Sequence, residues 1–267
     1  PQLCLLSSAL LILVYNTIFP KSTKLVILTG IAAIGSLGSI STAIFLFSSK
    51  LQLGSLFGDQ IAVDGSSLFF VVIISSVTLL VSIASYDYIN KLGNQAEYYS
   101  LLLLAATGMS LMASANSLVI AFIAMELASL PSYALVTYLK GNEGSTESGL
   151  KYFLIGALSS AIFVYGSSLI YGATGSLGLS TISQSILHSS SISGLLRIGI
   201  LMVIGGLAFK TASVPFHFWA PDAYEGAISP VSAFISSASK AAGFILLFRI
   251  LIEAFPIDVV STIGLDW

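Results

Sequence analysis

Eight apolar runs dominate the sequence, at residues 3–19, 25–48, 66–89, 98–114, 117–139, 149–172, 195–219 and 229–252, with short polar connections between them. About 20 apolar residues rising 1.5 Å each cross the roughly 30 Å hydrocarbon core of a bilayer. In that core every backbone N–H and C=O must find a partner inside the protein, so only helices and closed barrels can span it. A barrel strand reads as about ten residues alternating apolar and polar. These runs are longer, continuous and rich in Leu, Ile, Ala and Ser. The expected fold class is an all-α polytopic membrane protein with about eight transmembrane helices. Strands are not expected, and a further helix is expected to begin near Ile257.

Composition narrows the function classes. Charged residues make up 8% of the chain and hydrophobic ones 56%, with a mean hydropathy of +0.98. A soluble domain carries about 25% charged residues, so a soluble enzyme, a disordered chain and a secreted disulfide scaffold are excluded. A net charge of −2 gives no footprint for nucleic acid. The single cysteine, Cys4, excludes an internal disulfide, a four-cysteine zinc site and an iron–sulfur cluster held by this chain.

The connections hold most of the charge. Lys21, Lys24, Lys91, Lys140 and Lys151 fall on one face of the membrane, and Lys50, Arg197 and Arg249 on the other. The positive-inside rule then places the N-terminus outside. The first run is not read as a signal peptide, because it is long and begins at Pro1 with no basic segment before it. The segment TGSLGLSTISQSILHSSSISG, residues 174–194, reads as a surface loop with a short interfacial helix, and His188 within it as solvated. The glycines of GATGSLG follow no strand and make no dinucleotide motif. Ser159, Ser160, Gly166 and Ser167 read as small residues that let helices approach closely.

Three charges fall well inside the runs and carry the functional signal. Glu126 lies in SLVIAFIAMELASLPSYALV, Lys210 in LMVIGGLAFKTASVPF and Lys240 in VSAFISSASKAAGFILL. On insertion scales each costs about 2.5–3.5 kcal/mol at mid-membrane. A structural ion pair between helices accounts for one acid and one lysine and leaves the second lysine uncompensated. Proton handling uses all three. Burial disfavours a charged lysine and a nearby carboxylate favours it, so a lysine whose acid partner moves can gain and lose a proton. None of these residues is suited to redox chemistry.

Pro215 follows Lys210 by five residues in AFKTASVPFHFWAPDAYEGAISP and should break or kink the seventh run near Ser213. Non-helical backbone at membrane depth is tolerated where it lines a polar cavity, and ion transporters use broken helices in this way. A plain packing kink is the alternative. Pro131, five residues after Glu126, is a weaker case of the same pattern. His217 follows the break and has an ordinary pKa near neutral, which suits a proton relay; capping the broken helix or binding water is the alternative. Asp222 and Glu225 in PDAYEG read as a tight structural loop.

The stretches MASANSLVIAFIAMELASLPSYALVTYL and FKTASVPFHFWAPDAYEGAISPVSAFISSASKAAGFILLFRI resemble the antiporter-like membrane subunits of respiratory complex I. The nearest branch is subunit N of NADH:quinone oxidoreductase, together with its mitochondrial counterpart, subunit 2, and its chloroplast counterpart. The similarity spans nearly the whole chain and is strongest from about residue 97 to 252. It implies a Glu on the fifth helix, a Lys on a broken seventh and a Lys on the eighth, which fall on Glu126, Lys210 and Lys240. It also implies a division into residues 1–97 (three N-terminal helices), 98–253 (one five-helix antiporter-like repeat, helices 4–8) and 254–267 (the start of a further helix or a tail). Family members carry two such inverted repeats in about fourteen helices, and this sequence supplies the first.

The resemblance implies proton translocation coupled to electron transfer in other subunits of a complex I-type translocase. Glu126 would tune Lys210, and Lys210 would pass protons toward Lys240, with His217 as a relay. No cofactor or metal is expected in this chain; NADH, flavin, iron–sulfur clusters and quinone would belong to partner subunits of the membrane complex. The membrane would be an energy-transducing one: a bacterial or archaeal plasma membrane, a mitochondrial inner membrane or a thylakoid. A subunit of a Mrp-type cation/proton antiporter or membrane-bound hydrogenase, and a structural subunit that moves no ions, are the other readings.

Overall fold

The computed structural model describes residues 1–19, 24–49, 54–139, 141–188 and 194–256. The first two runs form α1 (Gln2–Ile18) and α2 (Leu25–Ser48). A hairpin of β1 (Gly54–Leu56) and β2 (Ile61–Val63) follows, then α3 (Gly65–Ala84) and the short α4 (Tyr86–Asn90). The next long helices are α5 (Gln95–Ser114), α6 (Leu118–Val136) and α7 (Glu143–Thr174), and the expected interfacial helix is α8 (Leu179–Leu187). The seventh run is split into α9 (Gly194–Thr211) and α10 (Trp219–Gly226). The eighth, Ser229–Ala254, runs as α11 (Ser229–Phe234), a π-helical turn over Ile235–Ser239, α12 (Lys240–Arg249) and a second π turn over Ile250–Ala254. Among the described residues six helical segments, rather than the eight expected, are long and apolar enough to cross a membrane: α2, α3, α6, α7, α9 and Ser229–Ala254. The helix expected near Ile257, and Lys21, Lys50 and Lys140, lie outside the described residues.

The chain starts its helices where side chains can satisfy the first free N–H groups. The carboxylate of Asp64 accepts from the Ser67 N–H at 2.7 Å while the Ser67 hydroxyl accepts from the Asp64 N–H at 3.0 Å, a reciprocal capping box. Ser117 and Asn142 cap α6 and α7 through the N–H groups of Ile120 and Ser145. The core gathers around α5, which packs on α1, α3, α6 and α12 and buries most of its length. Its small residues explain both that position and its modest hydropathy, because tight helix crossings in a membrane favour Ala, Gly and Ser over bulk. The same rule governs α7 against α9. A Cβ at Gly166 would lie 2.8 Å from the Gly199 carbonyl oxygen, so the expected packing role of Gly166 holds.

Strands were not expected, and the β1–β2 hairpin corrects that reading. It pairs antiparallel with Gly54 opposite Val63 and Leu56 opposite Ile61, and its turn carries positive φ at Phe57, Gly58 and Asp59. The connection folds back because its backbone groups have partners at the head of the bundle. The Gln60 carbonyl accepts from the Asn116 N–H at 3.0 Å, and the Asp59 carbonyl from the Asn116 side chain at 2.9 Å.

The break in the seventh run occurs where expected, by a different device. Ala212 adopts φ 53°, the Ser213 N–H bonds to the Ala208 carbonyl at 2.8 Å, and the Ala212 N–H to the Phe209 carbonyl at 3.1 Å. These two bonds around a left-handed residue form a Schellman cap. The helix is therefore closed at Thr211, and Pro215 prevents its resumption rather than ending it. Pro215 is exposed in the connection, behind a cis Val214–Pro215 bond. Asp222 and Glu225 are not in a loop: both lie in α10, and Asp222 pairs with Lys151 of α7 at 3.0 Å. Pro131 does not break its helix, because α6 runs through it to Val136.

Candidate functional site

The site is built where α6, α7 and α9 meet. Glu126 and Ser129 are three residues apart on α6 and so share a face. Lys210 occupies the last turn of α9 and is 4% exposed. Its Nζ donates to the Ser129 hydroxyl, which in turn donates to the Met125 carbonyl. Glu126 is half-buried and accepts from the Ser160 hydroxyl of α7. Ser160 thus binds the acid, a role beyond the packing read from the sequence. Among the described residues the ion pairs are Lys151–Glu147, Lys151–Asp222 and Arg249–Asp64, and none joins Glu126 to Lys210. Opposite charge leads one to expect Glu126 and Lys210 within ion-pair or one-water distance; they make no direct ion pair, and each contacts a serine. A hydroxyl can donate to a carboxylate and accept from an ammonium, so each charge is satisfied by a nearer neutral group.

Lys240 reaches the same place from the other side. It directly follows the π turn Ile235–Ser239, a local widening found often at functional sites. Its Nζ donates to the Lys210 carbonyl at 3.2 Å and lies 4.1 Å from the centroid of the Trp219 ring. That carbonyl belongs to the last turn of α9, where the helix dipole presents partial negative charge and carbonyls lack helical partners. Gly243, one turn after Lys240, makes the approach possible, because a Cβ there would lie 3.2 Å from the Lys210 carbonyl carbon. Trp219, the first residue of α10, stacks on Tyr152 of α7 at 4.3 Å and lies 4.9 Å from Phe209. The two lysines are therefore joined through the end of the broken helix, and an aromatic wall closes one side.

His217 sits in the break, half-buried and stacked on Phe218 at 4.5 Å. Its Nδ1 and the Nε1 of Trp219 are buried polar atoms without a hydrogen-bond partner among the described residues. His188 is exposed at the end of α8, as expected.

Two further polar groups went unread in the sequence. Arg249, counted there among the interfacial charges, is 5% exposed. It donates to the carbonyls of Ala115 at 3.0 Å and Ala113 at 3.2 Å and pairs with Asp64 at 2.8 Å. It thereby ties the end of α5 and the start of α3 to the end of α12. Burial pushes the Asp64 carboxyl up, but the Ser67 N–H, the Ser66 hydroxyl and the Arg249 guanidinium outweigh it and hold the group below the usual carboxylate range. Ser129 is the other group, and its three-residue spacing from Glu126 was the available signal.

Fold and site define a class first: a polytopic helical membrane protein with one acid and two lysines gathered at a broken helix. Residues 115–263, more than half of the chain, match the family described as NADH:quinone oxidoreductase/Mrp antiporter, TM, and the chain belongs to this family. It is 36% identical to NADH-quinone oxidoreductase subunit N of Chlorobium chlorochromatii, over 98% of this chain and 52% of that protein. It is 38% identical to F(420)H(2) dehydrogenase subunit N of Methanosarcina mazei, over 95% of this chain and 52% of that one. A chain in a solved structure of respiratory complex I from Thermus thermophilus with bound aureothin is similar with a TM-score of 0.74 and 33% identity, over 92% of this chain and 52% of that chain. The chain spans about half the length of the curated relatives it matches. The antiporter-like resemblance read from the sequence is borne out.

Proposed function

We propose that this chain serves in the membrane arm of a complex I-type NADH:quinone oxidoreductase, as a non-redox part of a translocase that moves protons while electrons pass through other subunits. The observation that carries this reading is the continuity of the intramembrane charges: Lys210 rests on Ser129 beside Glu126, and Lys240 rests on the Lys210 carbonyl. In this reading Glu126 sets when Lys210 holds a proton. Lys210 then passes the proton from its Nζ toward the amine of Lys240, with His217 as a relay at the break. Residues 98–253 act as the antiporter-like unit, and residues 1–97 as the three helices that flank it. NADH, flavin, iron–sulfur clusters and quinone reside in partner subunits.

The test is proton pumping per electron in the reconstituted complex that contains this chain. Glu126→Gln and Lys210→Met are expected to lower the pumping ratio while subunit content stays normal. Wild-type pumping in both would refute the reading. A Mrp-type cation/proton antiporter subunit is the alternative, favoured by the joint scope of the matched family. Co-purification with NADH-oxidising or quinone-reducing subunits separates these assignments.

A further inference from the structure

We propose that Ser129 is the positioning residue of the site: its hydroxyl holds Lys210 in an open state, away from Glu126, from which the lysine swings back to close the pair. This rests on the reading of Lys210 as a proton carrier and adds the group that governs its position.

Glu126 and Ser129 present two oxygen acceptors on one face of α6, about 4.5 Å apart along the helix axis at 1.5 Å per residue. Lysine is a point charge on a flexible four-carbon stem, so its Nζ can pass between them by changing rotamer with both backbones fixed. The backbone at Lys210 is in fact pinned. The Schellman cap closes α9 one residue later, Lys240 holds the Lys210 carbonyl, and α12 presses on it at Gly243. Motion is therefore confined to the side chain.

The Ser129 hydroxyl is oriented for the task. Its proton is committed to the Met125 carbonyl, which leaves its lone pairs to accept from Lys210. Ser160 completes the arrangement from α7 by donating to Glu126, so the acid has a partner of its own while the pair is open. Both charges exchange each other for a neutral hydroxyl. The lysine thus has two seats on one helix face, a neutral hydroxyl and a carboxylate, and the hydroxyl is the one it occupies in this structure. Ser129 itself takes no proton and changes no bond.

A packing role and a positioning role predict opposite rankings. Ser129 is 1% exposed, so on packing grounds Ser129→Ala fits the space and Ser129→Thr adds a methyl with nowhere to go. On positioning grounds Thr keeps the acceptor and Ala removes it. The expected result, in the reconstituted complex with normal subunit content, is a fall in protons pumped per electron of about 10-fold or more in Ser129→Ala, the equivalent of one hydrogen bond to a charged group. Ser129→Thr should retain most of the pumping. Wild-type pumping in Ser129→Ala, an equal fall in both variants, or a larger fall in Ser129→Thr overturns the proposal. If Ser129→Ala does not assemble, a cryo-EM map of the resting wild-type complex decides. Lys210 Nζ at the Ser129 hydroxyl supports the proposal, and Nζ on Glu126 alone overturns it. Lys210→Met, measured alongside, separates the failures. A pumping Lys210→Met removes the underlying reading, whereas a silent Ser129→Ala beside an inactive Lys210→Met removes this inference only.

Discussion

Replacing Lys240 separates the two tasks its position gives it, holding the end of α9 and carrying a proton. Lys240→Met removes the donor to the Lys210 carbonyl, which at 3.2 Å is a full hydrogen bond. Leaving that carbonyl unpaired costs about 1–3 kcal/mol. It also removes the contact 4.1 Å above the Trp219 ring, worth about 2 kcal/mol where water is excluded. Against these stands the roughly 2.5–3.5 kcal/mol spent on placing a lysine in the membrane. The net loss for Met is then at most about 2.5 kcal/mol by the same estimates. Lys240→Gln keeps an N–H donor one bond shorter, so its stability should lie closer to wild type than that of Met. Neither Gln nor Met can carry a proton. Lys240→Arg keeps charge, donor and ring contact yet scarcely releases its proton. The assay is proton pumping with electron transfer in proteoliposomes, with subunit content and thermal unfolding measured on the same preparations. All three variants should pump poorly, while stability falls most for Met. Wild-type protons per electron in Lys240→Gln would refute the relay and leave Lys240 as a helix cap.

Other outcomes follow from the packing. Arg249→Ala should lower thermal stability by about 2–3 kcal/mol, below the 3–5 expected for breaking a wholly buried pair, because the Asp64 side chain is 41% exposed and partly screened; an unchanged melting temperature would contradict the clamp. Since Asp64 titrates below its unfolded value, its contribution is fully present above a pH of about 4 and is lost as pH falls through the folded value. Acid melting curves of the wild type should therefore steepen below that point more than those of Asp64→Asn. Gly243→Leu places bulk against the Lys210 backbone, where even a Cβ would lie at 3.1–3.3 Å. It should separate α12 from α9 and lower pumping more than Gly243→Ala, and equal pumping in the two would argue against the close approach.

The sequence by itself determined the membrane class, the helical character of the apolar runs, the place of the break and the three charges worth examining; of the eight spans expected, six are long and apolar enough to cross a membrane among the described residues. It could do so because these depend on one chain against one solvent. Hydrocarbon penalises every charge and every unpaired peptide group, so the length of an apolar run, a proline after a lysine and a charge at mid-span are legible without knowing any neighbour. What the tertiary structure decided was who touches whom. Glu126 and Lys210 were matched in the sequence by opposite charge, yet helix rotation brings Ser160 and Ser129 to them first. Serines are frequent along these helices, and apart from the three-residue spacing of Ser129 from Glu126 little in the order of residues distinguishes one that packs from one that binds a charge. Lys240 reads as an isolated amine until the cap at Ala212 presents the Lys210 carbonyl to it. Arg249 reads as an interfacial charge until the ends of α3 and α5 arrive with a carboxylate and two free carbonyls. A hydrogen bond selects its partner at about 3 Å, and distances of that size are set by how helices turn against one another, which only the assembled bundle fixes.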